Sequence, residues 1–262
     1  MVQPGCSKNF DEYRENIFLS YVQAILKNMN RLDIVFDVYI EHSLKSATRE
    51  KRGTGTRTHV TASTKIQKNW QDFLRVNGNK TELFNFLADL TINNLHEKSV
   101  FITHEDHVRC CCADDVDVTT INPCSQEEAD TRILLHCLHA AYCEYTKVAI
   151  RTVDTVVVVR AISCFSKLCL DELWINFGVG KKVCLIAAHE IACALGPAKS
   201  AALPVFHCLT GCDTVSSFSG KGKKSAWEAW NCFPEATDAF VSLYAVNDAV
   251  DQATMTILER LA

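Results

Sequence analysis

The chain has 262 residues, of which 48% are hydrophobic and 22% charged, and a formal net charge of -4. This is the composition of an ordinary globular protein, long enough for one large domain or two small ones. The overall charge excludes a molecule that is polycationic throughout, but charge is unevenly spread. Residues 41–68 carry seven Lys/Arg against two acids, about +5, and residues 105–130 carry eight acids against one Arg, about -7. A basic patch beside an acidic cluster suits a site that holds a polyanion and a cation together; the alternative is two oppositely charged loops.

The 14 cysteines come without a hydrophobic leader and without an apolar run approaching ~18 residues, so neither secretion nor a membrane span is expected. Most fall inside apolar segments (Cys137, Cys164, Cys169, Cys184, Cys193) and read as small buried hydrophobes in a reducing compartment. The run Cys110-Cys111-Cys112 lacks the paired CxxC spacing of a zinc site. His136, Cys137, His139 and Cys143 lie close together on a predicted helix, where a metal site competes with simple burial.

In chain order, FDEYRENIFLSYVQAILKNM (10–29) has apolar residues at helical spacing, and DIVFDVYI (33–40) is β-branched and aromatic, a strand. EHSLKSATREKR (41–52) predicts a polar helix with Lys45, Arg49 and Arg52 on one face. GTGTRTHVTASTK (53–65) predicts a flexible linker or arch. Residues 69–95 predict two short amphipathic helices split by Asn77-Gly78-Asn79, and 98–108 a strand with a polar end. Ser125 and Glu128 form a capping box that opens a helix running through Ala141. KVAIRTVDTVVVVRAI (147–162) predicts one buried parallel strand with Asp154 in its middle. Two more strands are expected at 172–178 and 182–188, and helices over HEIACALG, KSAALPVFHCL and the segment opened by the lysines. Strands alternate with helices, so the class is α/β with a mostly parallel sheet.

Acids punctuate these elements: Asp37, Glu128, Asp130, Asp154 and Asp213. In a doubly wound sheet such positions converge at the carboxyl edge, where ligands bind. Carboxylates gathered there need cations between them, and two Mg²⁺ ions about 4 Å apart can activate water against a phosphodiester. Each acid also has a structural reading, as a cap, a helix-dipole partner or a strand-end surface residue. Gly220-Lys221-Gly222-Lys223-Lys224 before a helix suits a phosphate contact, or else a solvated surface turn. It does not match a nucleotide P-loop. Trp227 and Trp230, three apart, read as a core-facing stripe rather than as base-stacking residues. His189 and His207 read as satisfied polar residues. Arg132 could reach a carboxylate or a phosphate.

Taken in order, these pieces resemble the flap-endonuclease-type 5′ nucleases of the PIN-like superfamily. The resemblance rests on Ile34-Val35-Phe36-Asp37 followed by Lys45, Arg49, Lys51 and Arg52; on Ser125-Gln126-Glu127-Glu128-Ala129-Asp130; on Asp154-Thr155-Val156; and on Gly211-Cys212-Asp213-Thr214 followed by the Gly/Lys turn. It spans about residues 33–230. It implies a PIN-like three-layer α/β/α core over residues 1–206, with an arch-like insertion at 53–95, and a helical duplex-binding segment over 207–262. It further implies a metal-dependent, structure-specific nuclease acting on DNA, in a nuclear or cytoplasmic setting and without membrane association. Asp37, Glu128, Asp130, Asp154 and Asp213 would hold Mg²⁺ or Mn²⁺. Lys45, Arg49 and Arg52 would steer the scissile phosphate, and Lys221, Lys223 and Lys224 would grip the duplex. Two departures stand out. The acid-bearing first strand of the family is missing, so the N-terminus looks truncated. Val156 replaces the second Asp of the Asp-x-Asp pair. With two expected acids absent, one ion rather than two is expected. Two competing readings are a nuclease-like nucleic-acid-binding module without catalysis and a protein-interaction domain with structural acids.

Overall fold

A computed structural model of the chain describes residues 1–39, 55–95, 98–112, 116–212, 215, 222–245 and 250–261. The chain divides into two units, Met1–His136 and Cys137–Ala262. Both mix helices with strands. Among the described residues the strands form two three-stranded sheets, each with one parallel and one antiparallel pair, where the sequence predicts one mostly parallel sheet.

The first unit begins with helix α1, which runs as Phe10–Tyr13, a π-helical stretch Arg14–Leu19, and Ser20–Leu26. Asn9 starts it, its side chain accepting a hydrogen bond from the Glu12 amide at 2.8 Å, which satisfies one of the donors every helix start leaves open. Strand β1 (Arg31–Ile34) follows, then α2 (Trp70–Arg75) and α3 (Asn77–Asn94). Strands β2 (Ser99–His104) and β3 (His107–Cys111) complete the sheet, with β1 parallel and β3 antiparallel to β2. The core gathers Phe10, Tyr13 and Val22 of α1, Trp70 and Phe73 of α2, Leu83 and Leu87 of α3, and Val100 and Ile102 of β2. Trp70 stacks on Phe73 at 4.9 Å, and Phe10 meets Phe73 at 5.3 Å. Each large aromatic ring buried in this way removes a large apolar area from water.

Two expectations change here. The single strand predicted over 98–108 is a hairpin that turns at Glu105 and Asp106, with Glu105 in the left-handed region (φ 56). The turn lacks the usual Asn-Gly signal and is held from outside. Arg132, almost wholly buried, donates from Nη1 to the Glu105 carbonyl and from Nη2 to the His107 carbonyl at 3.4 Å. Arg132 therefore reaches backbone oxygens. Burial depresses its pKa, and the Cys124 and Asp106 charges work against that shift.

The predicted flexible arch is, in its described part, a strap tied to the core. Asn79, fully buried, donates from Nδ2 to the carbonyls of Thr56 at 2.9 Å and Phe73 at 3.0 Å. Its Oδ1 accepts from the Thr58 amide at 2.8 Å and from Arg57 Nη1 at 3.1 Å. One turn on, Glu82 accepts from the Val60 amide at 2.8 Å and pairs with Arg57. Amides of α1 complete the tie: Phe10 donates to the Thr64 carbonyl at 3.2 Å and Asp11 to the Ala62 carbonyl at 3.1 Å. Pattern reading sees a Gly/Thr-rich stretch as loose because its partners lie far along the chain. The predicted polar helix at 41–52 lies outside the described residues.

The second unit contains β4 (Lys147–Thr152), α5 (Thr155–Cys164), β5 (Glu172–Phe177), β6 (Cys184–Ala187) and α6 (Ala188–Leu209). Helix α4 (Ala129–Tyr142) lies between β3 and β4 in sequence and crosses the boundary between the units. Strand β4 runs parallel to β5 through the α5 crossover, and β6 returns antiparallel. The predicted strand 147–162 is thus a strand, a cap and a helix. Asp154 closes β4 and caps α5, its Oδ1 accepting from the Val156 amide at 2.8 Å. Val157, Ala161 and Ile162 turn inward from α5. The valine run has a high strand preference, and capping with burial overrides it.

The expected separation of HEIACALG from KSAALPVFHCL holds: Gly196 breaks α6 with φ 75, and Pro197 begins the second half, where its missing N–H costs little. Although α6 is long and apolar enough by length and composition to cross a membrane, it is two helices, and Ala202, Leu203 and Phe206 of the second half are buried. Helices α7 (Lys223–Cys232), α8 (Ala236–Ala245) and α9 (Gln252–Leu261) follow. Trp230 stacks on Phe206 at 4.9 Å, meets Phe240 edge-on at 5.0 Å, and donates from Nε1 to Thr237 Oγ1 at 2.9 Å. The core-facing reading of Trp230 is correct.

Asn79→Ala removes four hydrogen bonds from a fully buried site, including those that tie the Thr56 carbonyl and Thr58 amide of the strap to the core. We expect a stability loss of about 3 kcal/mol in denaturant unfolding and faster proteolytic cleavage within residues 55–66. Unchanged stability and unchanged cleavage would refute the tied strap.

Candidate functional site

Three of the five predicted acidic ligands, Asp37, Glu128 and Asp130, lie in the first unit, where the fold brings the Asp37 side chain to the backbone amide between the other two. After β1 the chain runs to Asp37, whose Oδ1 accepts from the Ala129 amide at 2.9 Å. Ala129 begins α4 and stands between Glu128 and Asp130 in sequence. The adjacent Val38 amide donates to the Glu127 carbonyl at 2.8 Å. Glu128 supplies the carbonyl that accepts from the amides of Thr131 at 3.1 Å and Arg132 at 3.3 Å, and Asp130 Oδ1 accepts from Thr131 Oγ1 at 3.2 Å. The helix starts at Ala129, three residues later than a capping box at Ser125 and Glu128 would start it, and its first amide is met by a carboxylate 92 residues away. Negative charge here also complements the positive end of the helix dipole.

Behind this acidic start lies a buried ionic cluster that the sequence did not single out. Asp33 of β1 receives two hydrogen bonds from Arg31, from Nε at 2.7 Å and from Nη2 at 2.8 Å. Its Oδ1 lies 2.7 Å from His136 Nδ1. The Arg31 and His136 side chains are 5% and 4% exposed, so the charges meet where water screens little. The Arg31 guanidinium also lies 4.0 Å from the Phe101 ring centroid. Burial alone would raise the Asp33 pKa, and hydrogen bonds and charge from Arg31 and His136 outweigh it, holding the carboxyl below its ordinary value. The sequence signal was an i, i+2 pair on a strand, which puts both side chains on one face; the histidine that completes the cluster lies 103 residues away.

The second unit holds Asp154, exposed and used as the α5 cap. Asp213, Lys221, Lys45, Arg49 and Arg52 lie outside the described residues. Lys223 is placed, and it is engaged: its Nζ donates to the His207 carbonyl at 2.8 Å and to Thr210 Oγ1 at 2.9 Å. A cation at the C-terminal end of α6 satisfies an open carbonyl and the dipole together. Burial lowers the Lys223 pKa, against the pull of Cys212 and Cys208. Lys224, in the first turn of α7, is exposed. His189 is a satisfied polar residue, with Nδ1 3.1 Å from the Leu173 carbonyl.

Among the described residues, no group of three or more His, Cys, Asp or Glu is arranged to hold a metal ion. That covers Asp37, Glu128 and Asp130 as well as His136, Cys137, His139 and Cys143; in the latter cluster Cys143 Sγ lies 3.9 Å from His139 Nε2. It also covers the three-cysteine run, in which burial and Cys110 push the Cys112 thiol up to about 11. No protein-family model, curated protein or solved structure matches the chain.

Asp33→Asn removes the carboxylate charge that Arg31 and His136 share, and at pH 7 the variant should lose about 3 kcal/mol of stability. The unfolded carboxyl titrates near about 3.9 and the folded one lower. The stabilisation is therefore fully present above about pH 4 and disappears as pH falls through the folded-state value. Denaturant unfolding of both proteins across pH should show the gap narrowing in acid; a gap of the same size at all pH values would exclude this account.

Proposed function

We propose that this chain is a metal-dependent, structure-specific nuclease-like protein acting on DNA phosphodiesters, with a PIN-like α/β/α core and a helical segment that contacts duplex. The observation that carries the proposal is the docking of Asp37 onto the start of α4, where its side chain meets the amide that lies between Glu128 and Asp130 in sequence. The motif order of the sequence assigns these positions to metal binding, and their chemistry fits: carboxylate oxygens are hard ligands suited to Mg²⁺ or Mn²⁺. Such an ion would supply a Lewis acid and an activated water at the phosphodiester. Asp37 would contribute Oδ2, which the Tyr39 hydroxyl meets at 3.5 Å, since Oδ1 is occupied by the Ala129 amide. The motif order assigns Asp154 and Asp213 to metal binding as well, and one ion rather than two is proposed. Lys45, Arg49 and Arg52 would steer the scissile phosphate, and Lys221 and Lys224 would hold backbone phosphates, with Lys223 bracing their turn. The proposed setting is nuclear or cytoplasmic, without membrane association.

A second reading, a nucleic-acid-binding module without hydrolysis, is favoured by one specific observation. Asp154 is engaged as a helix cap, and its partner position is Val156, whose side chain offers no ligand atom.

One experiment separates the readings: Mn²⁺-dependent cleavage of a 5′-labelled flap DNA by the chain and by Asp130→Asn, alongside duplex binding at two salt concentrations. Cleavage that is lost by 10²-fold or more in the variant, on the order expected when a general or electrostatic catalytic group is removed, supports the nuclease. Absent cleavage with binding that weakens steeply as salt rises supports the binding module. Neither cleavage nor binding overturns both and leaves the acids as structural groups of a protein-interaction domain.

A further inference from the structure

The sheet of the second unit has two edges, and they differ in chemistry. Strand β5 lies in the middle, so β4 and β6 each have one side that no strand pairs with among the described residues. On β4 the exposed positions are Lys147, Ala149 and Arg151. Charge of this kind is a usual device that keeps an edge strand from pairing with another chain. Strand β6 reads Cys-Leu-Ile-Ala, with no charge and no proline. Its Ile186 stands opposite the fully buried Ile175 and faces the core, so Leu185, opposite Asn176, faces away from it. Leu185 is 63% exposed, and Val183 before it is exposed too. An uncharged backbone edge beside exposed apolar side chains is a template for a further strand.

The two ends of β6 indicate which strand. Before it, Gly178 adopts φ 105, and a β-carbon there would lie 2.7 Å from the Lys182 carbonyl, so the loop closes tightly on itself where only glycine fits. This loop sets Lys181 and Lys182, both exposed, at the start of β6. Beyond the strand, α6 opens directly after Ala187, with the exposed Glu190 in its first turn. One end of the strand is basic and the other acidic. Two such strands complement each other when they run antiparallel; a parallel pair would set lysines beside lysines.

We propose that β6 is a self-association edge: two copies of this chain pair their β6 strands antiparallel about a two-fold axis at Leu185, joining two three-stranded sheets into one of six strands. The inference is independent of the nuclease reading. Directly opposed residues of an antiparallel pair point to the same face. With the helices of both copies on one side of the joined sheet, Leu185 stands opposite the partner's Leu185, and Val183 opposite the partner's Ala187. Lys181 and Lys182 then run towards the partner's Glu190, twice by symmetry. Such an isologous contact is closed and stops at two copies, and it leaves no uncharged edge open. Because β6 has only four residues, the paired surface is small and association depends on concentration.

The test is sedimentation velocity of the full chain in reducing buffer, over a concentration series that reaches the sub-millimolar range. The expected result is a reversible monomer–dimer equilibrium. Leu185→Lys sets like charges opposite each other and should weaken association by roughly tenfold or more, as should Leu185→Glu. An equimolar mixture of the two variants should recover the dimer, because Lys then faces Glu. Ala149→Lys, on the β4 edge, should leave the dimer unchanged. A monomer throughout the series overturns the proposal. So does a dimer that survives in Leu185→Lys alone, which would place the contact elsewhere, or a mixture of the Lys and Glu variants that stays monomeric.

Discussion

Two carboxylates four residues apart, Asp33 and Asp37, fix helix α4 to the first sheet. Asp33 holds His136, and Asp37 holds the amide of Ala129. The helix contacts are seven residues apart, about 10.5 Å along a helix axis. Four extended residues span at most about 13–14 Å, so the two clasps fit a segment laid antiparallel along the helix. One clasp is ionic and buried; the other meets a helix-terminal amide that would otherwise lack a partner. Arg132, between them on the helix, fixes the β2–β3 turn through its carbonyls. The strand, the helix and the hairpin of the first unit are thus positioned by three charged side chains whose alternatives in a dry interior are costly. The approach of Asp37 to the backbone between Glu128 and Asp130 follows from this arrangement.

In the second unit a carboxylate does similar work locally. A strand that ends in Thr152, Val153 and Asp154 changes to helix because the Asp154 side chain accepts the Val156 amide while its backbone stays extended. The valines after it are poor helix formers only by a few tenths of a kcal/mol each, less than the value of one good cap, about 1 kcal/mol. Burial of Val157 and Ala161 then decides the matter. Hydrophobic periodicity could not distinguish the alternatives, since an apolar run of this kind fits a buried strand or a buried helix.

What was legible in the sequence was what is local. The helices near 10–26, 69–95 and 129–142, the strands near 172–177 and 184–187, the break at Gly196 and the inward Trp230 all follow from spacing and from glycine chemistry. The strand before Asp37 was expected at 33–40 and lies at Arg31–Ile34, which moves Asp37 from the strand to the stretch beyond it. What was not legible depends on pairs separated by tens of residues: Asn79 with the strap at 56–58, Arg132 with the hairpin turn, and Asp33 with His136. A side chain that satisfies a distant backbone group leaves no period in its own neighbourhood. For the same reason Lys223, read from its glycine-flanked lysines as a phosphate contact, is better understood as the C-terminal partner of α6.

The acids differ in how completely capping accounts for them. At α5 a single carboxylate faces one helix start, and one amide takes one oxygen. A helix terminus carries roughly half a unit of positive charge, so one Asp already exceeds it. At α4, Asp37 serves the first amide while Glu128 and Asp130 add two further acids within the same turn. Capping needs one of these three and the dipole offsets only about half a charge. That concentration of acids at one helix start is what the metal-binding proposal rests on. The start of α4 therefore supports a metal-binding proposal on electrostatic grounds that the start of α5, taken by itself, does not.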